Sequence, residues 1–365
     1  MAKDKPIEID TSAGSRSFNR FDLQLSQSLH MAIELYDQFN YLLILDHYDD
    51  ITVFDIDSEP LAVSYYQVKT SDNTITIDSA IGGNWIAKLY KQIDRPEDWI
   101  VKELGLITNT PLEVTFKAKT LQGKVQSVTK KYSAPRTPFT SLYHSVQNRI
   151  KNDIAEKCHI PVDEVDLSKF AHLHTTLSID RHKDIVEKEM GDFLYNKYPR
   201  IQMDTIKAIY GSVVALLIKQ QSNERMSPDS LLDDVKKYKG FSKDDFNRVI
   251  DKAIMISLPS FEDVIRFSSV NGNTQELRLK ISLPYVTILA DSNKPGNEAF
   301  SNLFKTVAET MKASAYDGGM TAWEYAQSIE KKTRETQPVL CIPYEENYIA
   351  VLTICLLINM SRKNR

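Results

Sequence analysis

Between Tyr41 and Val68 the chain sets three strand-like runs close together, and a long helical pattern feeds directly into them. Tyr41–Leu45 (YLLIL) is wholly apolar, and Ile51–Ile56 (ITVFDI) is β-branched and half alternating. Leu61–Val68 (LAVSYYQV) starts after the turn-forming Ser58-Glu59-Pro60. Upstream, from Phe18 to Phe39, the residues Phe21, Leu25, Leu29, Ile33 and Leu35/Tyr36 recur at helical spacing. A helix followed by three closely spaced strands predicts an α/β core.

The rest of the chain reads more unevenly. Ser79–Ile93 is expected to be helical, Pro111–Lys117 a strand, and Lys124–Lys131 a strand or a polar loop. Thr140–Glu156 reads as a helix and Phe170–Ile179 as a strand. From about Arg181 helices dominate: Lys183–Lys197, Thr205–Gln221, Ser227–Lys237 and Asp244–Ile256. Ser227 before Pro228 is expected to open the third of these, and Ser242 to cap the fourth. Glu276–Leu289 alternates like a strand interrupted at Pro284. Glu298–Met311, Thr321–Lys331 and Glu346–Ile358 follow as helices. A boundary near residue 200 separates an α/β region, 1–200, from a mainly helical region, 201–365.

Composition removes several function classes. The 365 residues are long enough for about two domains with cores of their own. Three cysteines (Cys158, Cys341, Cys355), none in a C-x-x-C pair, argue against a disulfide scaffold or a structural zinc module. His172 and His174 form an H-x-H pair on a strand, but further zinc ligands are not readable. A net charge of −4 excludes a constitutive DNA-coating protein but leaves room for a nuclease with one basic groove. The N-terminus is too polar for a signal peptide, and the apolar run Tyr348–Met360 is too short for a membrane helix. A cytoplasmic protein with no membrane association is therefore expected. Phosphate-binding loops of the G-x-x-x-x-G-K kind are absent from the sequence, which speaks against an ATPase.

The chemistry concentrates between Asp46 and Lys69. Asp46, Asp49 and Asp50 lie between the first two strands, and Gln67-Val68-Lys69 ends the third. Side chains alternate along a strand, so Gln67 and Lys69 share a face. Phosphodiester hydrolysis needs a hard cation, oxygen ligands and a group beside the attacking water. Asp50 can supply a carboxylate, Gln67 an amide oxygen and Val68 its carbonyl. Magnesium keeps several waters and needs few protein ligands, and manganese can take its place. Lys69 would then offset charge developing on the phosphate.

Acid, spacer and Gln-x-Lys on a strand resemble the PD-(D/E)xK nuclease superfamily in its Mrr-like version. Phe18, Phe21 and Gln24 opening the first helix, the acidic turn and YYQVKT narrow the likeness. They resemble the endonuclease domain of bacterial anti-phage effectors, namely CBASS effectors and the nuclease subunit of Lamassu. The motif likeness covers residues 14 to 70, and a weaker likeness in helical pattern runs to about 255. The resemblance implies a restriction-endonuclease-like core, a central mixed sheet flanked by helices, at 1–200, with a partner-docking or oligomerisation region at 201–365. It implies magnesium-dependent cleavage of double-stranded DNA, with catalytic roles on Asp50, Gln67 and Lys69 and a supporting role on Gln24. Where relatives often carry Glu before the acidic turn, this chain has the shorter Asp46, which leaves open whether that residue reaches the site. About 110 residues follow position 255, too few for the nucleotide-sensing domain of the CBASS effectors. The Lamassu subunit fits better, and with it come an SMC-like ATPase, a small accessory subunit and activation by oligomerisation.

Blander readings stand beside these. Lys69 could be an exposed strand lysine, with Asp49 and Asp50 as turn formers, and Gln24 a residue at a polar boundary of its helix. His30 and Glu34 read as an exposed polar pair, and His47 as a turn histidine. Lys117, Lys119, Lys130 and Lys131 could line a DNA groove or sit on a solvated loop. The stripe Ile349, Leu352, Cys355, Leu356 and Ile358 serves either core packing or a partner. As alternatives to a regulated effector, the chain could be a non-catalytic binding subunit on a decayed nuclease fold, or a CBASS-type or stand-alone restriction-type nuclease.

Overall fold

The opening helix forms as α1 (Ala13–Leu35), and the three runs after it become β1 (Tyr41–Leu45), β2 (Ile51–Asp55) and β3 (Ala62–Lys69). The computed structural model describes residues 13–95, 98–119, 124–199, 201–224, 226–227, 230–256, 258–269, 274–293, 297–314, 316 and 319–363. The chain divides into two compact units. One holds the chain up to Phe193 together with Ile209–Arg248, and the other holds Leu194–Ala208 with Val249–Arg365.

In the first unit, β1 and β2 pair antiparallel with Leu43 opposite Val53, and β2 and β3 antiparallel with Val53 opposite Ser64. The chain then forms β4 (Ile75–Thr76), α2 (Ile77–Gly82) and α3 (Trp85–Tyr90). The Thr76 and Ser79 side chains close a capping box that starts α2. These elements form a crossover into β5 (Ile100–Thr108), which runs parallel to β3. Next come β6 (Leu112–Lys119), β7 (Val125–Tyr132), β8 (Arg136–Pro138), α4 (His144–Cys158) and β9 (Phe170–His174). β9 lies parallel to β5 and antiparallel to β8. Helices α5 (His182–Lys197), α6 (Met203–Gln221) and α7 (Leu232–Lys239) lead to β10 (Gly240–Ser242), which pairs with the free edge of β1. The mixed sheet therefore runs β10-β1-β2-β3-β5-β9-β8, and β4, β6 and β7 form a smaller sheet. The core on this sheet includes Phe54, Tyr65, Leu104, Leu106, Phe139 and Phe170.

The central strand β5 is not legible in the sequence. Lys102, Glu103 and Gly105 interrupt its apolar residues, yet Leu104–Thr108 are all buried, as a parallel strand covered on both faces must be. Glu103 is accommodated by Arg136 Nε at 2.7 Å. At Gly105 a Cβ would collide with the Tyr66 ring of the neighbouring strand, so glycine permits that close approach. Lys124–Lys131 resolves as strand β7, and the expected helix Ser79–Ile93 is broken at Gly83-Asn84. The helix expected to open at Ser227 begins instead at Leu232, with Leu231 in the N-cap position. Pro228 lies outside the described residues.

β9 carries the H-x-H pair on one face, with the two rings 6.4 Å apart. His172 is fully buried and its Nε2 lies 2.7 Å from Thr108 Oγ1, which itself donates to the Thr110 carbonyl. The hydroxyl must then accept from Nε2–H, leaving Nδ1 unprotonated and without a partner among the described residues. Burial, with a smaller effect of His174, pushes the imidazole down to about 4. The unfolded chain therefore binds this proton first, near pH 6.5. Stability is expected to fall by about 2–3 kcal/mol between pH 6.5 and 4 on this account. Urea unfolding across that range should show the loss in wild type and a flatter profile in His172→Gln.

The second unit is helical. It comprises the end of α5 and the start of α6 within Leu194–Ala208, α8 (Lys243–Ile256) from Val249 onward, α9 (Phe261–Ser268), α10 (Thr274–Asn293), α11 (Glu298–Lys312), α12 (Ala322–Thr336), α13 (Pro338–Cys341) and α14 (Tyr348–Lys363). α14 sits at the centre, with nearly every residue from Tyr348 to Ile358 buried, so its apolar stripe is core. Among the described residues no helix is long and apolar enough to cross a membrane. Glu276–Leu289, expected as a strand, is part of α10. That helix has two apolar faces: Ile281, Pro284 and Ile288 point inward, while Leu279, Leu283 and Val286 are exposed. Two faces blur the helical period into apparent alternation.

One polar cluster ties this core together. Glu330, buried on α12, accepts from Arg334 at 2.7 Å and from the Ala350 N–H at 3.2 Å, one of the free donors at the start of α14. Arg334 in turn donates to the Tyr344 and Glu345 carbonyls. Glu330→Ala would leave a half-buried cation and a buried N–H unpaired, and is expected to cost about 3 kcal/mol by denaturant unfolding.

Candidate active site

The turn from β1 to β2 fixes the candidate site. Asp46 adopts the left-handed conformation (φ 50°) and donates its N–H to the Asp50 carbonyl at 3.2 Å, closing the turn. The same carbonyl accepts from Gln24 Nε2 of α1 at 2.7 Å. Held at its backbone, Asp50 extends its side chain toward β3. Its Oδ2 accepts the Val68 N–H at 2.7 Å and lies 3.5 Å from Lys69 Nζ. Among the described residues its Oδ1 has no protein partner.

The β2–β3 register ends at Ile51 opposite Tyr66, which sets Asp50 beside Gln67 on the next pair. Gln67 is 3% exposed, and its Oε1 is buried with no hydrogen-bond partner among the described residues. A buried amide oxygen left unpaired is costly. Within a strand, N–H and C=O of one residue point to the same side, so the Val68 carbonyl also turns toward Asp50. An unpaired carboxylate oxygen, an unpaired amide oxygen and a carbonyl are the oxygen donors a hard cation takes. Among the described residues, no group of three or more His, Cys, Asp or Glu is arranged to hold a metal. Any cation here would rest on this mixed oxygen set.

Asp50, Val68, Lys69 and Gln24 open onto a cleft of about 520 Å³ that is also lined by Arg20, Phe21 and Trp85. Lys69 Nζ lies 5.7 Å from the Trp85 ring centroid. Gly83 makes room for that indole, since a Cβ there would collide with it. Nothing in the sequence marks Trp85 or Arg20. Trp85 reads as an apolar helix position, and only the crossover brings it beside Lys69.

The other acids of the turn go elsewhere. The Asp49 side chain is fully buried on the opposite side, where it accepts from Asp50 N–H (3.0 Å) and Gln92 Nε2 (3.2 Å) and faces Lys88 (3.6 Å). Burial raises its pKa against the pull of Lys88. The Asp46 side chain is exposed; its carbonyl accepts from Lys239, and its carboxylate acts on Lys239 and His47 only through its charge. His47 is half-buried, and its Nε2 has no hydrogen-bond partner among the described residues. Burial lowers its pKa, and the charges of Lys239 and Arg95 lower it further. His30 does pair with Glu34, its Nε2 3.4 Å from Glu34 Oε1, but it is not exposed. It is mostly buried, and its Nδ1 lies 2.8 Å from Glu189 of α5.

The basic residues of the β6–β7 hairpin divide between two faces. Lys117 and Lys131 lie outward with Thr115 and Thr129, and Lys131 pairs with Glu113 at 3.4 Å. Lys130, opposite Val114, projects from the other face and sits over the Tyr132 ring. The Lys119 side chain lies outside the described residues.

Asp49 and Asp50 are adjacent in sequence but differ in what they support. Asp49→Ala should destabilise the protein by about 2 kcal/mol, because it strands buried donors of Gln92 and Asp50. Asp50→Ala should change stability by less than about 1 kcal/mol. Urea unfolding of the two variants checks this contrast.

Comparison with known proteins adds the following. The profile of the Cap4 dsDNA endonuclease domain matches residues 12–220. The Lamassu protein LmuA of Bacillus cereus (strain VD014) is 27% identical over 307 residues, covering 83% of this chain and 81% of that protein. A solved structure of an Acinetobacter baumannii Cap4 SAVED/CARF-domain receptor, determined with a cyclic trinucleotide, aligns with a TM-score of 0.38 at 12% identity. That alignment covers 87% of this chain and 66% of the receptor.

Proposed function

The chain belongs to the Cap4 dsDNA endonuclease domain family, and from that premise we propose that it hydrolyses phosphodiester bonds of double-stranded DNA in a metal-dependent reaction, as the effector of a Lamassu-like anti-phage complex. The observation that carries the reading is the Asp50 carboxylate held between Val68 N–H and Lys69, with Gln67 on the same strand burying an amide oxygen that has no partner among the described residues. This supports the PD-(D/E)xK assignment in its Gln-x-Lys form.

In this mechanism Asp50, Gln67 and the Val68 carbonyl would hold magnesium, or manganese in its place. The bound ion would lower the pKa of a coordinated water and offset charge on the scissile phosphate. Lys69, at the mouth of the cleft, would donate to the phosphate oxygens that gain charge in the transition state. Its ammonium is kept in place by Asp50 on one side and Trp85 on the other. Gln24 acts through the backbone, fixing the Asp50 carbonyl so that the carboxylate keeps its direction. Arg20 at the rim of the cleft is suited to a neighbouring phosphate. Lys117 and Lys131 on the outer face of the hairpin, with Lys119, are suited to backbone contacts that carry no sequence preference. Lys130 would take part only if DNA also reached the second face.

The similarity to LmuA supports membership of a defence complex. We assign as partners an SMC-like ATPase and a small accessory subunit, in the cytoplasm. The nuclease stays silent until a trigger brings two or more copies together on DNA. Of the region 201–365, Ile209–Arg248 belongs to the nuclease unit and supplies β10 to its sheet, so the proposed docking or oligomerisation part is Val249–Arg365.

Plasmid cleavage by the chain co-expressed with its genomic neighbours should require magnesium and stop in EDTA. Lys69→Ala should lower the rate roughly 10²–10³-fold, as expected for removing a transition-state donor. Cleavage unaffected by Lys69→Ala would place the active site elsewhere. DNA binding without cutting in every combination would favour a non-catalytic binding subunit.

A further inference from the structure

Lys239 closes α7 and is only 4% exposed. Its Nζ donates to the Gln221 carbonyl at 3.0 Å and to the Asp46 carbonyl at 3.3 Å. Among the described residues no carboxylate lies within ion-pair distance. The Asp46 and Glu224 carboxylates favour its charge from longer range, yet only carbonyls hydrogen-bond the buried ammonium, and an apolar residue of similar volume would fill the space at lower cost. Its use points to geometry rather than stability.

The geometry is that of the catalytic turn. β10 follows Lys239 directly and pairs with β1, Gly240 opposite Ile44, so the lysine side chain reaches the end of β1 where the turn begins. Asp46, whose carbonyl it grips, is the left-handed residue that donates to the Asp50 carbonyl. Gln24 grips that second carbonyl from the other side. Two side chains from distant parts of the chain thus clamp the turn at both ends. Lys239 lies beyond residues 12–220, the segment that the family profile matches.

We propose that Lys239 is a positioning residue of the nuclease site: by holding the Asp46 carbonyl it fixes the turn from which Asp50 reaches the metal, and so sets metal affinity without touching metal or DNA. This rests on the reading of Asp50 as a metal ligand. The burial that lowers the Lys239 pKa is the cost of that arrangement.

The test measures manganese binding to the full chain by electron paramagnetic resonance of the free ion, with thermal melting alongside. Lys239→Met is expected to fold and to bind manganese about tenfold more weakly. In the cleavage assay its metal requirement should rise, while the rate at saturating metal returns to within a few-fold of wild type. Asp50→Asn serves as the reference and should abolish binding. If Asp50→Asn loses the metal while Lys239→Met binds it like wild type, Lys239 is structural and the proposal fails. If Asp50→Asn itself binds normally, the metal-site reading fails and takes the proposal with it. Should Lys239→Met not fold, Lys239→Gln is judged by the same readouts. Failure of both to fold would overturn the proposal in favour of a lysine needed for stability alone.

Discussion

The hydrogen bond from Val68 N–H to Asp50 Oδ2 is the contact on which the site depends. It lies just past the last β2–β3 pair, where a ladder would otherwise fray, and replaces a backbone acceptor with a carboxylate. That substitution does two things. It caps the exposed donor of a central strand, and it fixes a charge beside Lys69 at the mouth of a cleft. Everything else in the site answers to it. Gln24 and Asp46 hold the backbone of Asp50, and the parallel pairing of β3 with β5 keeps the strand that carries Gln67 and Lys69 rigid.

The turn also shows how two identical side chains acquire different physical chemistry. Asp49 turns into the protein, where burial raises its pKa and Gln92 and Lys88 compensate. Asp50 turns toward the cleft and keeps one oxygen free of partners among the described residues. Folding needs the first acid and the proposed chemistry needs the second. A sequence of three aspartates in five positions does not say which is which. The answer comes from the left-handed backbone of Asp46, which sets the phase of the turn.

Much of this was legible in advance because the signals were local. α1, β1, β2 and β3 follow from periodicity and turn residues, and the Gln-x-Lys motif on β3 needs only strand alternation to bring its side chains near one another. What was not legible depends on distant parts of the chain. β5 hides behind Lys102, Glu103 and Gly105, which only Arg136 and Tyr66 explain. α10 looked like a strand because it is apolar on two faces, with the Leu279, Leu283 and Val286 face exposed. Three-residue β10 carries no pattern of its own, yet it covers the edge of β1 and delivers Lys239 to the turn. Trp85 enters the cleft only through the crossover between two parallel strands.

The central claim is that a cation sits among Asp50, Gln67 and the Val68 carbonyl. Anomalous scattering from crystals of the full chain grown with manganese and a short non-cleavable DNA duplex addresses it most directly. The account predicts a peak within coordination distance of those three oxygens, with Lys69 Nζ facing the bound phosphate. A duplex seated in the cleft with manganese held by other residues, or with none there, would contradict it.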